Sequence, residues 1–185
     1  MPLATYFREV SMPNEQTQSE VEAEEIEKDQ YLIFNVLEQE YAIQAMRVQE
    51  ISRVLATTQV PTAPLYIEGI LNLLGQLATV INFRRKFGLD AKADDEDTRI
   101  VIVEHGGFPI GVKVDSVAEV IRIADDKVQK LPEAAATHVS KEYITGVGML
   151  DKRLIVILDA DKLLTKSELV EAEAAMQTAG MKEAA

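Results

Sequence analysis

Tyr41-Ala-Ile-Gln-Ala-Met-Arg-Val-Gln-Glu-Ile-Ser-Arg-Val54 and Ile110-Gly-Val-Lys-Val-Asp-Ser-Val-Ala-Glu-Val-Ile-Arg-Ile123 are two versions of one segment, 69 residues apart. Ile43 falls on Val112, Val48 on Val117, Glu50 on Glu119, Ile51 on Val120 and Arg53 on Arg122. A second match sets Tyr66-Ile-Glu-Gly-Ile70 on Tyr143-Ile-Thr-Gly-Val147 at an offset of 77. That offset persists, placing Leu77 on Leu154, Val80 on Ile157, Ile81 on Leu158 and Phe87 on Leu164. The drift means about eight extra residues in the second copy, between Ala124 and Glu142. Two copies are too few for a solenoid, which needs three or more. The chain reads as a duplicated small domain with two lobes and a seam.

Each copy reads as about five short strands. Tyr31–Val36 is rich in β-formers, Leu37–Glu40 is a turn and Tyr41 opens the partner strand. Between Ala45 and Val54 the apolar residues Met46, Val48, Ile51 and Val54 fall near helical spacing, with strand as the alternative from Val48 onward. Pro61 and Pro64 force extended or turn geometry. Tyr66–Leu74 and Leu77–Phe83 are strands turned at Gly75, and Arg84–Leu89 is one helical turn stopped by Gly88. In the second copy Arg99–Val103 and Pro109–Val114 flank a hairpin turn at His105-Gly-Gly-Phe108, and Arg153–Leu158 is the buried last strand. Five strands in so short a span suit a small closed barrel better than a sandwich, because closure removes exposed edges. The fold class is therefore mainly all-β: two five-stranded barrels, with short helices and a C-terminal helix.

The expected boundaries follow the repeat. Residues 1–28 read as a disordered acidic tail, whose composition cannot bury enough to order itself alone, with a short docked helix as the alternative. Residues 29–165 hold the first barrel, about 30–90, and the second, about 98–165, joined by the charged linker Asp90–Asp97, with exchange of strands between the two barrels left open. Residues 166–185 are a helix and tail, with Ser167 as the cap and an end near Gly180.

The composition fits a soluble globular chain: 47% hydrophobic residues and a formal net charge of −12 over 185 residues. Without cysteine there is no disulfide framework, thiol nucleophile or Cys-based zinc site, a composition compatible with the cytoplasm. No apolar run reaches the roughly 18 residues of a spanning helix, so no direct membrane insertion is expected. The first residues lack the basic-then-apolar order of a signal peptide. The negative charge opposes phosphate backbones, and Arg84-Arg85-Lys86, the one basic triplet, reads as a solvated face, so no nucleic-acid partner is expected.

The two histidines, His105 in a hairpin turn and His138 in a loop, lack nucleophile or carboxylate neighbours and read as ordinary surface residues. Asp94-Asp95 and Asp125-Asp126 are solvated turns without calcium-loop spacing, and Gly106-Gly107 is not followed by the Lys-Ser/Thr pair of a phosphate loop. The expectation is no catalytic residue, no metal site and no cofactor. What stands out instead is contact surface. Leu71, Leu73, Leu74 and Leu77 make an apolar stretch around Gly69 and Gly75, read either as a strand buried on both faces or as a groove wall.

The ordered series Tyr31-Leu-Ile-Phe34, Tyr41-Ala-Ile43, Val48-Gln-Glu-Ile51, Val60-Pro61, Tyr66-Ile-Glu-Gly69, Asn72-Leu73, Gly88-Leu89, Val112-Lys-Val-Asp115, Tyr143-Ile-Thr-Gly146 and Ile157-Leu-Asp159 resembles CheW, the coupling-protein family of bacterial and archaeal chemotaxis. The resemblance spans about Tyr31 to Leu164. It implies two intertwined SH3-like barrels with an apolar junction. It also implies a non-enzymatic cytoplasmic adaptor, recruited to membrane-associated arrays, that links chemoreceptor cytoplasmic tips to the regulatory domain of the histidine kinase CheA. Further copies in rings are an additional partner. The implied partner-binding residues are Val48, Glu50 and Ile51, with Gly69, Leu71, Leu73, Leu74 and Gly75 along the neighbouring strand. The chain departs from the family's pattern in one stretch: Leu74 stands for arginine, Thr79 for proline and Asn82 for aspartate. Glu50 is then expected to be either solvent-exposed or satisfied by another donor, with Arg47 and Arg53 the nearest candidates in sequence, and Leu74 is expected to add apolar area at the junction or at a partner surface. A scaffold in another array, such as one for twitching motility, that binds receptors or polar proteins without activating a kinase is the alternative reading.

Overall fold

The computed structural model describes residues 28–133 and 139–183, so the expected acidic tail, apart from its last residue, and His138 lie outside the described residues. Each copy opens with a hairpin: β1 (Gln30–Val36) with β2 (Gln39–Gln44), and β6 (Arg99–His105) with β7 (Phe108–Val114). A single strand follows in each, β3 (Val48–Arg53) or β8 (Ser116–Arg122). A second hairpin closes each copy: β4 (Ile67–Leu73) with β5 (Gln76–Asn82), and β10 (Ile144–Leu150) with β11 (Arg153–Leu158). A two-residue β9 (Val128–Gln129) precedes the last hairpin and pairs with β10. Strand prevails over helix in the ambiguous segment. Only Ala45–Arg47 coils, as a 3-10 turn, while Val48 and Ile51 pair opposite Val103 and Val101, and a helix there would leave the β6 edge unpaired.

The sheets run β3-β6-β7-β5-β4 and β8-β1-β2-β11-β10-β9. Under the repeat these are the same order with one exchange. The β1–β2 hairpin of the first copy sits in the second sheet, and the β6–β7 hairpin of the second copy sits in the first. The sequence spans 30–90 and 98–165 follow the duplication, whereas each barrel draws strands from both. The crossings are short: Ala45–Arg47 leads from β2 to β3, and Asp115 alone separates β7 from β8. Parallel pairings of β5 with β7 and β11 with β2 join the copies. The outcome is two intertwined SH3-like barrels.

Alternation along the strands produces two barrel interiors and a core shared between them. Leu71, Val80, Ile100 and Ile102 fill the first barrel, and Tyr31, Ile33, Ala42, Ile123, Ile155 and Ile157 fill the second. These sets are related by the repeat, as Ile102 to Ile33 and Val80 to Ile157 show. The opposite strand faces meet in a larger shared core that includes Phe34, Tyr41, Ile81, Phe83, Val101, Val112, Val156 and Leu158. Phe83 meets the Phe34 ring edge-to-face and the Tyr41 ring at a tilt, with centroids 5.7 and 4.9 Å away. The repeated glycine of the Tyr-Ile-x-Gly motif has a local cause. A Cβ on Gly69 would lie 2.5 Å from the Thr58 carbonyl oxygen, and one on Gly146 would lie 2.8 Å from that of Gln129.

The basic triplet is not a solvated face. It forms the one-turn helix α1 (Phe83–Lys86), and the seam consumes two of its charges. Arg84 donates Nε and Nη2 to the two Asp115 oxygens at 2.8 and 2.6 Å, and the Leu37 N–H donates to the same carboxylate at 2.9 Å. Burial works to raise the Asp115 pKa, but the Arg84 and Leu37 hydrogen bonds outweigh it and hold the carboxyl below its ordinary value. Lys86 pairs with Glu168, and its Nζ lies 4.9 Å from the Tyr66 ring centroid and 5.3 Å from that of Tyr143. Tyr66 and Tyr143 are repeat mates, so one lysine serves both copies.

Two further expectations are corrected. His105 is buried, at 4% exposure, with Nδ1 3.0 Å from the Ala160 carbonyl oxygen, because its position on β6 faces the shared core. Helix α2 (Lys166–Glu183) is capped by Thr165 rather than Ser167. The Thr165 hydroxyl accepts from the Glu168 N–H at 3.3 Å while the Glu168 carboxylate accepts from the Thr165 N–H at 2.7 Å, a reciprocal box that satisfies both donors. Gly180 lies within the helix, an interior position that costs about 1 kcal/mol relative to alanine and is tolerated.

Candidate partner-binding surface

Glu50 sits on β3, an edge strand of the first sheet, directly opposite Ile102. Cross-strand partners share a face, so its carboxylate lies on the side of Ile100, Ile102 and Leu71, at the open rim of the first barrel. It is partly exposed, and among the described residues it has no ion pair or hydrogen bond. Of the two outcomes expected for Glu50, exposure is the one found, and neither candidate donor meets it. Arg47 turns instead to Asp161 and to the Glu104 carbonyl, and Arg53 forms no ion pair with Glu50.

The second barrel shows what a satisfied version of this rim looks like. Glu119, the repeat mate of Glu50, lies 2.8 Å from Arg153, which also donates Nε and Nη2 to Glu40 at 3.0 and 2.6 Å. The paired carboxylates hold the Arg153 guanidinium above its ordinary pKa, Glu40 foremost. At the repeat position of Arg153 the first barrel has Gln76, which is exposed. Gln76 was not singled out from the sequence, although the 77-residue offset reveals it. The rim of the first barrel therefore keeps a free carboxylate where the second has a closed ion cluster.

Next to Gln76 lies the β4–β5 turn, Leu74-Gly75. Both residues have positive φ, 50° and 94°, and the Asn72 side chain accepts from the Gly75 N–H at 2.8 Å. This is the twist that a two-residue hairpin requires, and leucine adopts it only at a cost. Leu74 does not reach the junction: its side chain is fully exposed at the tip. The turn geometry points it outward, which makes it a surface residue rather than a core one.

The remaining expected residues divide by burial. Val48 is 7% exposed in the shared core, Ile51 packs half-buried against that core, and Leu71 is 2% exposed inside the first barrel. Gly69 is buried beneath Thr58. Leu73 is half-buried at the rim, and Leu74 and Gly75 are exposed. β3 and β4 are not hydrogen-bonded neighbours but the two edges of one sheet, with β6, β7 and β5 between them. Curling of that sheet brings Glu50 and Leu73 to one barrel; adjacency in a ladder does not.

The other two departures are locally satisfied. The Asn82 amide donates to Glu68 at 2.6 Å, which an aspartate cannot do, while its oxygen caps α1 at the Arg85 N–H. Lys113, 9% exposed, joins the cluster by bonding Glu68 at 2.6 Å and Asp94 at 2.7 Å. The Thr79 hydroxyl donates to the Ala172 carbonyl oxygen at 3.4 Å, fastening α2 to β5 where a proline has no donor.

This arrangement has close counterparts. The chemotaxis protein CheW of Klebsiella aerogenes is 33% identical over 140 residues, covering 76% of this chain and 84% of its own length. The chemotaxis protein CheW of Helicobacter pylori is 34% identical over 137 residues, 74% of this chain and 82% of its own. Among solved structures, the scaffolding protein TtCheW from Thermoanaerobacter tengcongensis superposes with a TM-score of 0.69 at 29% identity, covering 76% of this chain and 90% of that one. Residues 30–168 match the model of the CheW-like domain. With the exchanged hairpins and the repeated barrel interiors, this match shows that the chain belongs to the CheW family.

Proposed function

We propose that this chain is a non-catalytic adaptor that couples the helical cytoplasmic tips of chemoreceptors to the regulatory domain of the histidine kinase CheA. It acts in the cytoplasm at membrane-associated arrays, where further copies join as ring members. Among the described residues no helix is long and apolar enough to cross a membrane, so the receptors supply the anchorage.

The open rim carries this reading. A free Glu50 carboxylate, on the same barrel as half-buried Leu73 and the exposed Leu74 of the β4–β5 tip, offers one charged contact together with apolar area, the composition of an interface centre and its edge. A basic side chain of a partner completes for Glu50 what Arg153 completes for Glu119. The net charge of −12 speeds encounter with such a partner. Reconstitution of receptor, kinase and this chain in a phosphorylation assay tests the function. Wild type raises kinase autophosphorylation, and Glu50→Arg loses most of that effect while its melting curve stays in place. No rise with wild type refutes the coupling role.

One observation favours a second reading. Leu74, exposed where the family pattern has arginine, presents an apolar tip in place of a cation. A scaffold that binds receptors without activating a kinase gives receptor binding and no rise in autophosphorylation in the same assay.

A further inference from the structure

We propose that helix α2 is a displaceable cover over a strip of the first barrel that accepts a helix, and that it competes there with the helical tip of a receptor. The choice of partner rests on the coupling function above. The strip consists of Ile70 on β4, Leu77 on β5 and Val60 in the preceding loop, on the side of the sheet away from the barrel interior. Ile70 is only 3% exposed because Ala175 and Met176 of α2 lie on it.

Three observations make this contact separable from the fold. The segment shared with the family ends at Glu168, so nearly all of α2 lies beyond the part that defines the barrels. The start of the helix is held by the Glu168–Lys86 ion pair, by Leu169 packed on the shared core, by Ala172 buried in it and by the Thr79 hydroxyl on the Ala172 carbonyl oxygen. Among the described side chains beyond Ala172, Ala175 and Met176 pack on the sheet, and they form a cluster of their own with Ile70, Val60 and Leu77. A helix of this length has little stability without its packing, so its distal half opens at far lower free energy than the sheets.

The present occupant defines the kind of partner. Ala172, Ala175 and Met176 at three- and four-residue spacing show that the strip takes one face of a helix with small and medium apolar side chains. A receptor tip presents helices, whereas a regulatory domain with this same barrel fold presents strands. The strip therefore suits the receptor and not the kinase. It also adjoins the β4–β5 tip that carries Leu74.

The test uses full-length protein in three forms: wild type, Ala175→Glu to loosen the cover, and Leu77→Cys/Met176→Cys joined by a short bismaleimide to fix it. The chain has no cysteine of its own, so the crosslink is unique. Hydrogen exchange is followed in α2, β5 and β11, and binding is measured to a receptor-tip helical hairpin fragment, with the unlinked cysteine form as control. The cover predicts wild-type α2 amides exchanging at least ~10-fold faster than those of β5 and β11. It also predicts receptor binding tightened by ~3–10-fold in Ala175→Glu and weakened by a similar factor in the crosslinked form. Equal receptor affinity in all three forms overturns the proposal. Slow α2 exchange with normal receptor binding refutes the cover alone. Fast exchange with no receptor binding by any form refutes the coupling function and the partner assigned here.

Discussion

Arg153 Nη1 stands 2.8 Å from Glu119 Oε1 at the rim of the second barrel, and the first barrel lacks the equivalent pair. Glu119 repeats Glu50, but Arg153 repeats Gln76. Placing the missing arginine therefore closes the open rim from within. Gln76→Arg is expected to leave stability within about 1 kcal/mol of wild type, since an exposed ion pair contributes little. It should weaken receptor or kinase binding severalfold by occupying Glu50. Paired titrations of both proteins against each partner check this, and unchanged affinity for both removes Glu50 from the interface.

Leu74 combines full exposure with φ of 50°. Leucine in the left-handed region costs roughly 1–2 kcal/mol, and asparagine followed by glycine is the preferred sequence for such a turn. Leu74→Asn is thus expected to raise stability by about 1 kcal/mol in urea unfolding. If the strain is retained for an apolar contact with a partner, the same variant binds that partner more weakly. A variant that is more stable and binds equally well shows that Leu74 has no part in recognition. Leu74→Arg is a separate test of kinase activation, because it restores the family's charge at the tip without relieving the backbone.

Much of this architecture was legible in the repeat, and the reason is physical. Alternation of apolar residues dictates which strand face is buried, and the offsets of 69 and 77 carry that pattern from one copy to the other. The hairpins, the buried Arg153–Leu158 strand and the one-turn helix at Arg84 followed from local signals. The hairpin exchange is not a local property: β1 pairs as well with β8 as a strand of its own copy would, so only the family resemblance supplied it. Burial of Val48 and Leu71 against exposure of Leu74 was equally invisible, since three apolar residues look alike until the turn at Leu74-Gly75 is known. Lys86 and Arg84 read as surface charges because their partners, Glu168 and Asp115, are distant in sequence.

Those two ion pairs set an acid limit. Asp115 and Glu168 both titrate below their ordinary values. Burial alone would raise each, but Arg84 with the Leu37 N–H, and Lys86 with the Thr165 N–H, outweigh it. A carboxyl depressed in the folded state adds stability that is fully present above its unfolded pKa, about 3.9 for aspartate and 4.3 for glutamate. That stability is lost as pH falls through the folded value. Melting temperature should therefore be flat near neutrality and fall below about pH 4. The fall should be shallower in Asp115→Asn, which is already destabilised at pH 7 because Arg84 loses its charged partner. Parallel slopes for the two proteins would show that Asp115 is not part of the acid response.

The exchange makes the halves inseparable. A chain ending at Asp95 keeps β1 to β5 but loses β6 and β7 from between β3 and β5, and β8, β10 and β11 from around β1 and β2. Both sheets are then broken in the middle, and shared-core residues such as Phe34, Tyr41 and Phe83 lose Val101, Val112 and Val156. What remains is two hairpins and a lone strand, which cannot bury enough surface to offset their ordering entropy. The fragment is expected to show no cooperative melt and no sharp amide dispersion, whereas a chain starting at Lys28 should melt like the full protein. Mixing the fragment with the complementary piece from Glu96 onward should restore a single transition, since each piece supplies the hairpin that the other's barrel needs. A sharp melt by the monomeric fragment alone would mean that the first copy closes on itself and that the exchanged hairpins are not essential to the fold.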